Sequence, residues 1–269
     1  MPQVTPIQIS VINASTVLAD DQVRPVVDAL QQQVSNHFLP AWGVDAQLTF
    51  LPGTATPPPG SWWLTILDDS DQAGALGYHD LTPDGLPIGK VFAGTDLKYG
   101  NLWSVTASHE LLEMLADPNI NLTVFVQNDQ STGILYAYEV CDACEADNLG
   151  YAIGNVTVSD FVYPSWFESF RTTGSTQFDQ TNQIQNPLQL LPGGYIGVFD
   201  VNSGSGWQQQ TAQRQPNLMS RGNVGSRRER RRTPRQQWIP SQAHKEIMRH
   251  TEVYRHRMET VIARIKVAA

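Results

Sequence analysis

The 269-residue chain has little cysteine, few histidines and, over most of its length, very few basic side chains. Its only cysteines, Cys141 and Cys144, form a single C-x-x-C. Without a second such pair this spacing is weak evidence for a zinc ribbon, and a redox pair would require a thioredoxin-like strand and helix around it. Two reduced cysteines or one local disulfide are therefore the expected state.

Long apolar runs are also missing. No stretch approaches the ~20 residues of a membrane-spanning helix, and the opening segment MPQVTPIQIS has neither a basic region nor an apolar core. The sequence therefore predicts no membrane partner and no cleaved secretory signal. We expect a cytoplasmic protein, or one that is exported or packaged without a cleaved leader.

Basic side chains are concentrated at the end of the chain. Residues 1–200 contain four Lys or Arg residues and 22 acidic residues, hence a formal charge of −18. Residues 201–269 contain 14 basic and four acidic residues, hence +10. The net charge of −8 therefore conceals an acidic body and a basic tail.

The chain does contain one dense cluster of metal-type ligands, in the segment SHELLEMLADP at 108–118. On an α-helix, His109, Glu110, Glu113 and Asp117 fall on one side and the leucines fall mostly on the other. A histidine and a carboxylate four residues apart can both reach a single cation, and Glu110 then points toward whatever the cation binds. This is the arrangement of the HExxH zinc helix with Glu113 in place of the second histidine.

The segments before this helix show strand and helix periodicities in turn. Strands are predicted at 5–12, 44–51, 62–67 and 88–93, a helix at 20–39, and a loop rich in Gly, Asp and Pro at 71–87. The order is β-α-β-β-β-α, which indicates an α+β fold.

That order, together with HELLE, resembles the N-terminal half of the zincin metallopeptidases over residues 5–118. The segments HELLEMLADP, YEVCD and SDFVYPSWF also resemble those of a group of bacterial and phage-associated zincin-like proteins. The resemblance implies a twisted mixed sheet with one backing helix, and an active-site helix that lies beneath the edge strand of the sheet.

A catalytic zinc usually has three protein ligands and one water, so His109 and Glu113 need a third ligand. The acidic segment YEVCDACE follows a predicted strand and supplies most candidates. Asp117 ranks low among these candidates, because an aspartate before proline commonly ends a helix. In order of preference the candidates are Glu139, Asp142, and then Cys141 or Asp117. Zinc is the expected ion, and an oxygen-rich set of this kind also accepts Mn or Fe.

Such a site predicts metal-dependent hydrolysis of peptide bonds in a peptide or protein substrate. A bound cation polarises a carbonyl and lowers the pKa of its water toward neutrality, and Glu110 is the expected general base. Strand 88–93, as an exposed sheet edge, is expected to hold the extended substrate. The candidates for oxyanion stabilisation are His79, Tyr138 and Tyr163.

Beyond Pro118 the patterns predict a β-rich C-terminal half. The expected zincin-like domain therefore spans residues 1–207. A basic linker without a core follows at 208–237, because SRRERRR cannot be buried. Residues 238–269 form an expected amphipathic helical tail. Apolar residues spaced 4-3-4-3-4 between 247 and 265 predict docking, through 241–267, on a second copy or a protein partner.

Two other functions stay open at this stage. The substitution at Glu113 favours, as the main alternative, a catalytically inert zincin scaffold that assembles through its basic tail. Nucleic-acid binding by SRRERRR is disfavoured, because the acidic body would repel DNA and no reading motif is present. Contact of the tail with the acidic body, or with an acidic partner, explains its charge equally well.

Overall fold

The first half of the chain forms a five-stranded mixed sheet. The computed structural model describes residues 6–72, 75–212 and 219–220. The strands run in the order β2-β1-β3-β5-β4. Neighbours are parallel except β4, which is antiparallel to β5. Their bounds are β1 Ile7–Asn13, β2 Ala46–Pro52, β3 Trp62–Leu67, β4 Gly77–Leu81 and β5 Pro87–Phe92.

The helices of this half connect the strands and carry the candidate ligands. They are α1 Asp20–Gln33, a π-helical turn Val34–Phe38, α2 Leu39–Trp42, α3 Ala93–Tyr99 and α4 Trp103–Ala116. At the start of α1 the Gln22 side chain accepts a hydrogen bond from the Ala19 N–H at 2.9 Å, a capping interaction that fixes the first turn. The helix α1, the π-helical turn and α2 follow one another without a break, so the expected helix at 20–39 continues to Trp42. Gly43, with a φ of 71°, ends it.

Helices α1 and α4 lie on the same face of the sheet. Leu30 of α1 and Leu111 of α4 belong to one core with Ile9, Val11 and Leu64 from the strands. Side chains of β1, β3 and β5 that point away from the helices form a separate small cluster on the opposite face: Ile12, Trp63 and Ile88. Period-two alternation thus directs one side of each strand toward the two helices.

One sequence-based expectation is wrong at the edge of this sheet. Residues 71–87 were expected to be a loop, and strand 88–93 was expected to be the exposed edge. The structure places β4 inside that segment, so β5 is paired on both sides and β4 is the terminal strand. Gly77 and Asp80 made β4 resemble a turn, but the antiparallel ladder to β5 and the buried Tyr78 side chain stabilise it as a strand.

The second half is rich in β-structure, as expected. Strands β6 Thr123–Gln127, β7 Gly133–Ala137, β10 Tyr195–Asp200, β11 Trp207–Thr211 and β12 Met219–Ser220 form an antiparallel sheet in the order β12-β11-β10-β7-β6. Strands β8 Tyr151–Ile153 and β9 Val156–Val158 form a separate hairpin. Short 3-10 turns lie at Asp142–Cys144, Asp147–Leu149 and Pro164–Phe167.

One strand crosses the expected domain boundary at residue 207. Strand β11 begins at Trp207 and pairs with β10 as far as Thr211. Its sequence WQQQT has no apolar alternation, so only the backbone ladder reveals it. The expected tail helix at 238–269 and most of the expected linker lie outside the described residues. No helix in the described part is long and apolar enough to cross a membrane.

Candidate metal centre

Helix α4 is buried on all sides, because every residue from Val105 to Leu115 is inaccessible or nearly so. One buried hydrogen-bond network fixes it beside the ligand-bearing turn. The Ser108 hydroxyl donates to Gln33 of α1 at 2.7 Å and accepts from the Ser159 N–H at 3.0 Å. The Gln33 amide in turn donates to the Ser159 carbonyl at 2.9 Å. His109, the next residue, is therefore held by both α1 and the segment after β9.

Two glycines let α4 approach the sheet closely at Glu110. Gly77 of β4 has no side chain where a Cβ would lie 2.7 Å from Glu110 Cγ and 2.8 Å from its Oε1. Gly89 of β5 is paired opposite His79, and a Cβ there would lie 2.8 Å from Leu64 Cδ1. Because Gly77, His79 and Gly89 share the face toward α4, the two glycines leave space on either side of the histidine.

The first group of candidate ligands surrounds the His109 ring. Its Nε2 lies 3.2 Å from Glu113 Oε2 and 3.4 Å from Asp142 Oδ1. Cys141 completes a set with His109 and Glu113 in which the ligand atoms all lie within 4.8 Å of one another. The Cys141 N–H also donates to Glu113 Oε1 at 3.2 Å. The backbone of the CDAC segment thus orients the Glu113 carboxylate toward the histidine.

A second group surrounds His79, whose ring is fully buried. Its Nδ1 lies 3.7 Å from Glu110 Oε2 and 3.8 Å from Glu113 Oε2. On the other side of the ring, Nε2 lies 3.8 Å from Glu139 Oε2. His79, expected as an oxyanion candidate, is therefore placed within reach of three carboxylates of the candidate centre, because β4 carries it over α4.

Burial and mutual charge perturb the ionisation of these groups. Burial would lower the pKa of His109, but the carboxylates of Glu113, Asp142 and Glu110 outweigh it and raise that pKa well above its usual range. Burial would raise the pKa of Glu113, but the imidazole of His109 lowers it to about 2. Burial, followed by the charge of Glu113, raises the pKa of Asp142 to about 6. The cluster thus attracts positive charge strongly.

Two further side chains of this region were not found from the sequence. The Tyr195 hydroxyl favours the ionised form of the Asp142 carboxylate, and burial raises the pKa of Tyr195 well above its usual range. Burial raises the pKa of Glu145 to about 7, and this carboxyl group interacts with His109 and Asp142. The pair of glycines before Tyr195 is the sequence feature that could have indicated this contact. Gly194 packs against the Ala143 backbone, where no Cβ fits.

Three expected residues are placed elsewhere. Asp117 accepts hydrogen bonds from the N–H groups of Asn121 and Leu122, so its carboxylate fixes the turn after α4, and neither ligand group contains it. Tyr138 stacks on Phe167 with ring centroids 4.9 Å apart. The Tyr163 hydroxyl donates to Gln180 at 2.9 Å. Both tyrosines therefore contribute to the packing of the C-terminal half, and neither belongs to a ligand group.

No protein-family model, curated protein or solved structure matches this chain. The donor set itself fits a divalent cation. Zinc bonds of about 2.0–2.2 Å to N and O place two ligand atoms of a tetrahedral ion roughly 3.3 Å apart, which is the separation of His109 Nε2 from Glu113 and Asp142.

Proposed function

We propose that the chain is a zincin-like metallopeptidase, which hydrolyses peptide bonds with a divalent cation held by His109, Glu113 and Asp142. The observation that carries this proposal is the convergence of both carboxylates on His109 Nε2, at 3.2 and 3.4 Å. In this proposal the third ligand is Asp142, the second candidate from the sequence, while Glu139, the first candidate, has its Oε2 3.8 Å from His79 Nε2. The order β2-β1-β3-β5-β4, with α4 against β4 and β5, supports the zincin resemblance.

The ion would be zinc, with manganese or iron as the alternatives for so oxygen-rich a set. When bound, a cation of this kind polarises the substrate carbonyl and increases the acidity of water. The remaining chemistry belongs to the chain. Glu110 takes a proton from the attacking water, the water oxygen bonds to the carbonyl carbon, and the C–N bond breaks as Glu110 returns the proton to the amine nitrogen.

The neighbours of Glu110 suit that role. His79 Nδ1 lies 3.7 Å from its Oε2, and Gly77 leaves the space that its carboxylate occupies. Because β4 is the terminal strand of its sheet, it would pair with an extended substrate in place of the originally expected strand 88–93. A peptide aligned along β4 would lie beside the strand that carries both Gly77 and His79.

The test compares Glu110→Gln with the wild-type protein. Gln keeps the size of the side chain but cannot accept the proton, so cleavage of casein or a peptide library should fall by at least 10²-fold, a typical value for a lost general base. The metal content should remain unchanged. Glu168→Gln, on the surface beside Arg171, is the matched control. Full activity in Glu110→Gln would refute the proposed base, and wild-type cleavage that a chelator leaves intact would refute the role of the metal.

A second candidate function is favoured by the burial of the site. The side chains of His109, Glu113 and Asp142 are only 4–8 % exposed, and closed metal sites are typical of structural metals. In this alternative the cation stabilises a catalytically inert scaffold, which docks through its basic tail. A protein with stoichiometric metal, loss of stability on chelation and no cleavage of any peptide would favour it over the peptidase.

A further inference from the structure

The two ligand groups share one carboxylate. The first contains His109 and Glu113 with Asp142 and Cys141 beside them, and the second contains His79, Glu113 and Glu139. We propose that the second group is a distinct site for a divalent cation, so that Glu113 bridges two ions. This inference rests on the proposed function for the ion at His109, and it adds an ion at His79.

The orientation of Glu113 supports a bridging role. Its Oε2 atom faces both rings, 3.2 Å from His109 Nε2 and 3.8 Å from His79 Nδ1. Its Oε1 accepts the Cys141 N–H, which fixes the rotation of the carboxylate between the two histidines. A carboxylate between two histidine-containing sets is a common ligand arrangement for paired ions in hydrolytic sites.

The second set also has the chemistry of a cation site in its own right. It combines one imidazole with two carboxylates, the ligand types that zinc, manganese and iron accept. All three ligand atoms lie within 4.8 Å of one another, and all three residues are buried. They come from β4, from α4 and from the segment after β7, so the fold rather than the local sequence brings them together.

Carboxyl groups outnumber imidazoles around the two ligand groups. Glu145 interacts with the first ligand group, so five carboxyl groups meet two imidazoles here: Glu110, Glu113, Glu139, Asp142 and Glu145. A site this rich in carboxyl groups favours cations as ligands.

The Lys and Arg residues within the described ranges contact other groups: Arg24 the Phe50 ring, Lys90 the Asp71 carboxylate, Lys98 the Tyr99 ring and Arg171 the Glu168 carboxylate. Lys90 follows Gly89 on β5, so strand alternation directs its side chain to the face opposite α4.

The test counts ions in the full-length protein. The metal-free protein is dialysed against manganese and then against buffer, and the manganese is measured per chain by mass spectrometry and by electron paramagnetic resonance. The wild type should hold two ions with an exchange-coupled spectrum. His79→Gln should hold one ion with an uncoupled spectrum, and Glu139→Gln should weaken the second site at least 10-fold. His37→Gln, which removes a histidine that contacts Tyr151, should retain both ions.

The outcomes separate this inference from the proposed function. One uncoupled ion in the wild type, lost in His109→Ala and kept in His79→Gln, would overturn the second site and leave the peptidase proposal intact. No bound ion would overturn both. If His79→Gln does not fold, the wild-type stoichiometry and its spectrum still decide, because a single uncoupled ion contradicts the bridge.

Discussion

Replacing Gly77 by alanine should disable the site without removing its metal ligands. The new Cβ would lie 2.7 Å from Glu110 Cγ and 2.8 Å from both Glu110 Oε1 and the Lys90 carbonyl oxygen. Ordinary contacts begin at 3.4 Å, so the Glu110 side chain must retreat by about 0.7 Å or the strands must separate. A misplacement of about 1 Å at a catalytic group typically costs on the order of 10²-fold in rate.

The matched control is Gly89→Ala, on the neighbouring strand and the same face. Its Cβ would lie 2.8 Å from Leu64 Cδ1, the flexible end of a side chain, and 3.6 Å from Glu110 Cβ, an ordinary contact. Overpacking should destabilise both variants by about 1–3 kcal/mol. Only Gly77→Ala displaces the Glu110 carboxylate, so only that variant should lose most of its kcat.

The assay combines urea unfolding, metal content and kcat for peptide cleavage. We expect equal metal content in both variants, similar losses in the free energy of unfolding, and a fall in kcat of about 100-fold in Gly77→Ala alone. Equal kcat values for the two variants would refute the reasoning, because the position of Glu110 would then not limit the reaction.

Two further predictions follow from the buried polar groups. Tyr195→Phe removes the hydroxyl that favours the ionised Asp142 carboxylate, so metal affinity in a competition titration should fall about 10–100-fold; an unchanged affinity would contradict this role of Tyr195. Burial and the Asp179 carboxylate raise the pKa of Asp160 to about 8, whereas an unfolded aspartate ionises near pH ~3.9. The folded protein therefore keeps a proton that the unfolded chain has lost, and the free energy of unfolding should fall as pH rises through this window, by at most about 1.4 kcal/mol per unit. Urea titrations should show a flatter profile for Asp160→Asn than for the exposed-site control Asp84→Asn, and identical profiles would contradict the shift.

The local patterns of the sequence predicted most elements of the fold. Strand β3 at Trp62–Leu67 has the predicted bounds, and helix α4, Trp103–Ala116, carries His109, Glu110 and Glu113 as predicted. Strong apolar periodicity explains this success, because it reflects burial directly. The α+β class followed from the order of these elements. The pairing of β4 with β5 is not a local property, so GYHDL could not be distinguished from a loop.

The candidate site was predictable only where one helix supplies its residues. His109, Glu110 and Glu113 lie on consecutive turns of α4, and the spacing of four brings the histidine to Glu113. Asp142 and Tyr195 reach the site through tertiary packing of the 3-10 turn at Asp142–Cys144 against β10. Which of several carboxylates in YEVCDACE turns toward His109 depends on that packing, and the sequence alone left the choice open.

Metal analysis of purified wild-type protein and its His109→Ala variant tests the central claim most directly. If a divalent cation is bound at His109 Nε2 between Glu113 and Asp142, the wild type should contain stoichiometric metal after dialysis. His109→Ala should then lose the ion at that position while His37→Ala keeps it. The same metal content in His109→Ala and wild type would contradict the proposed centre.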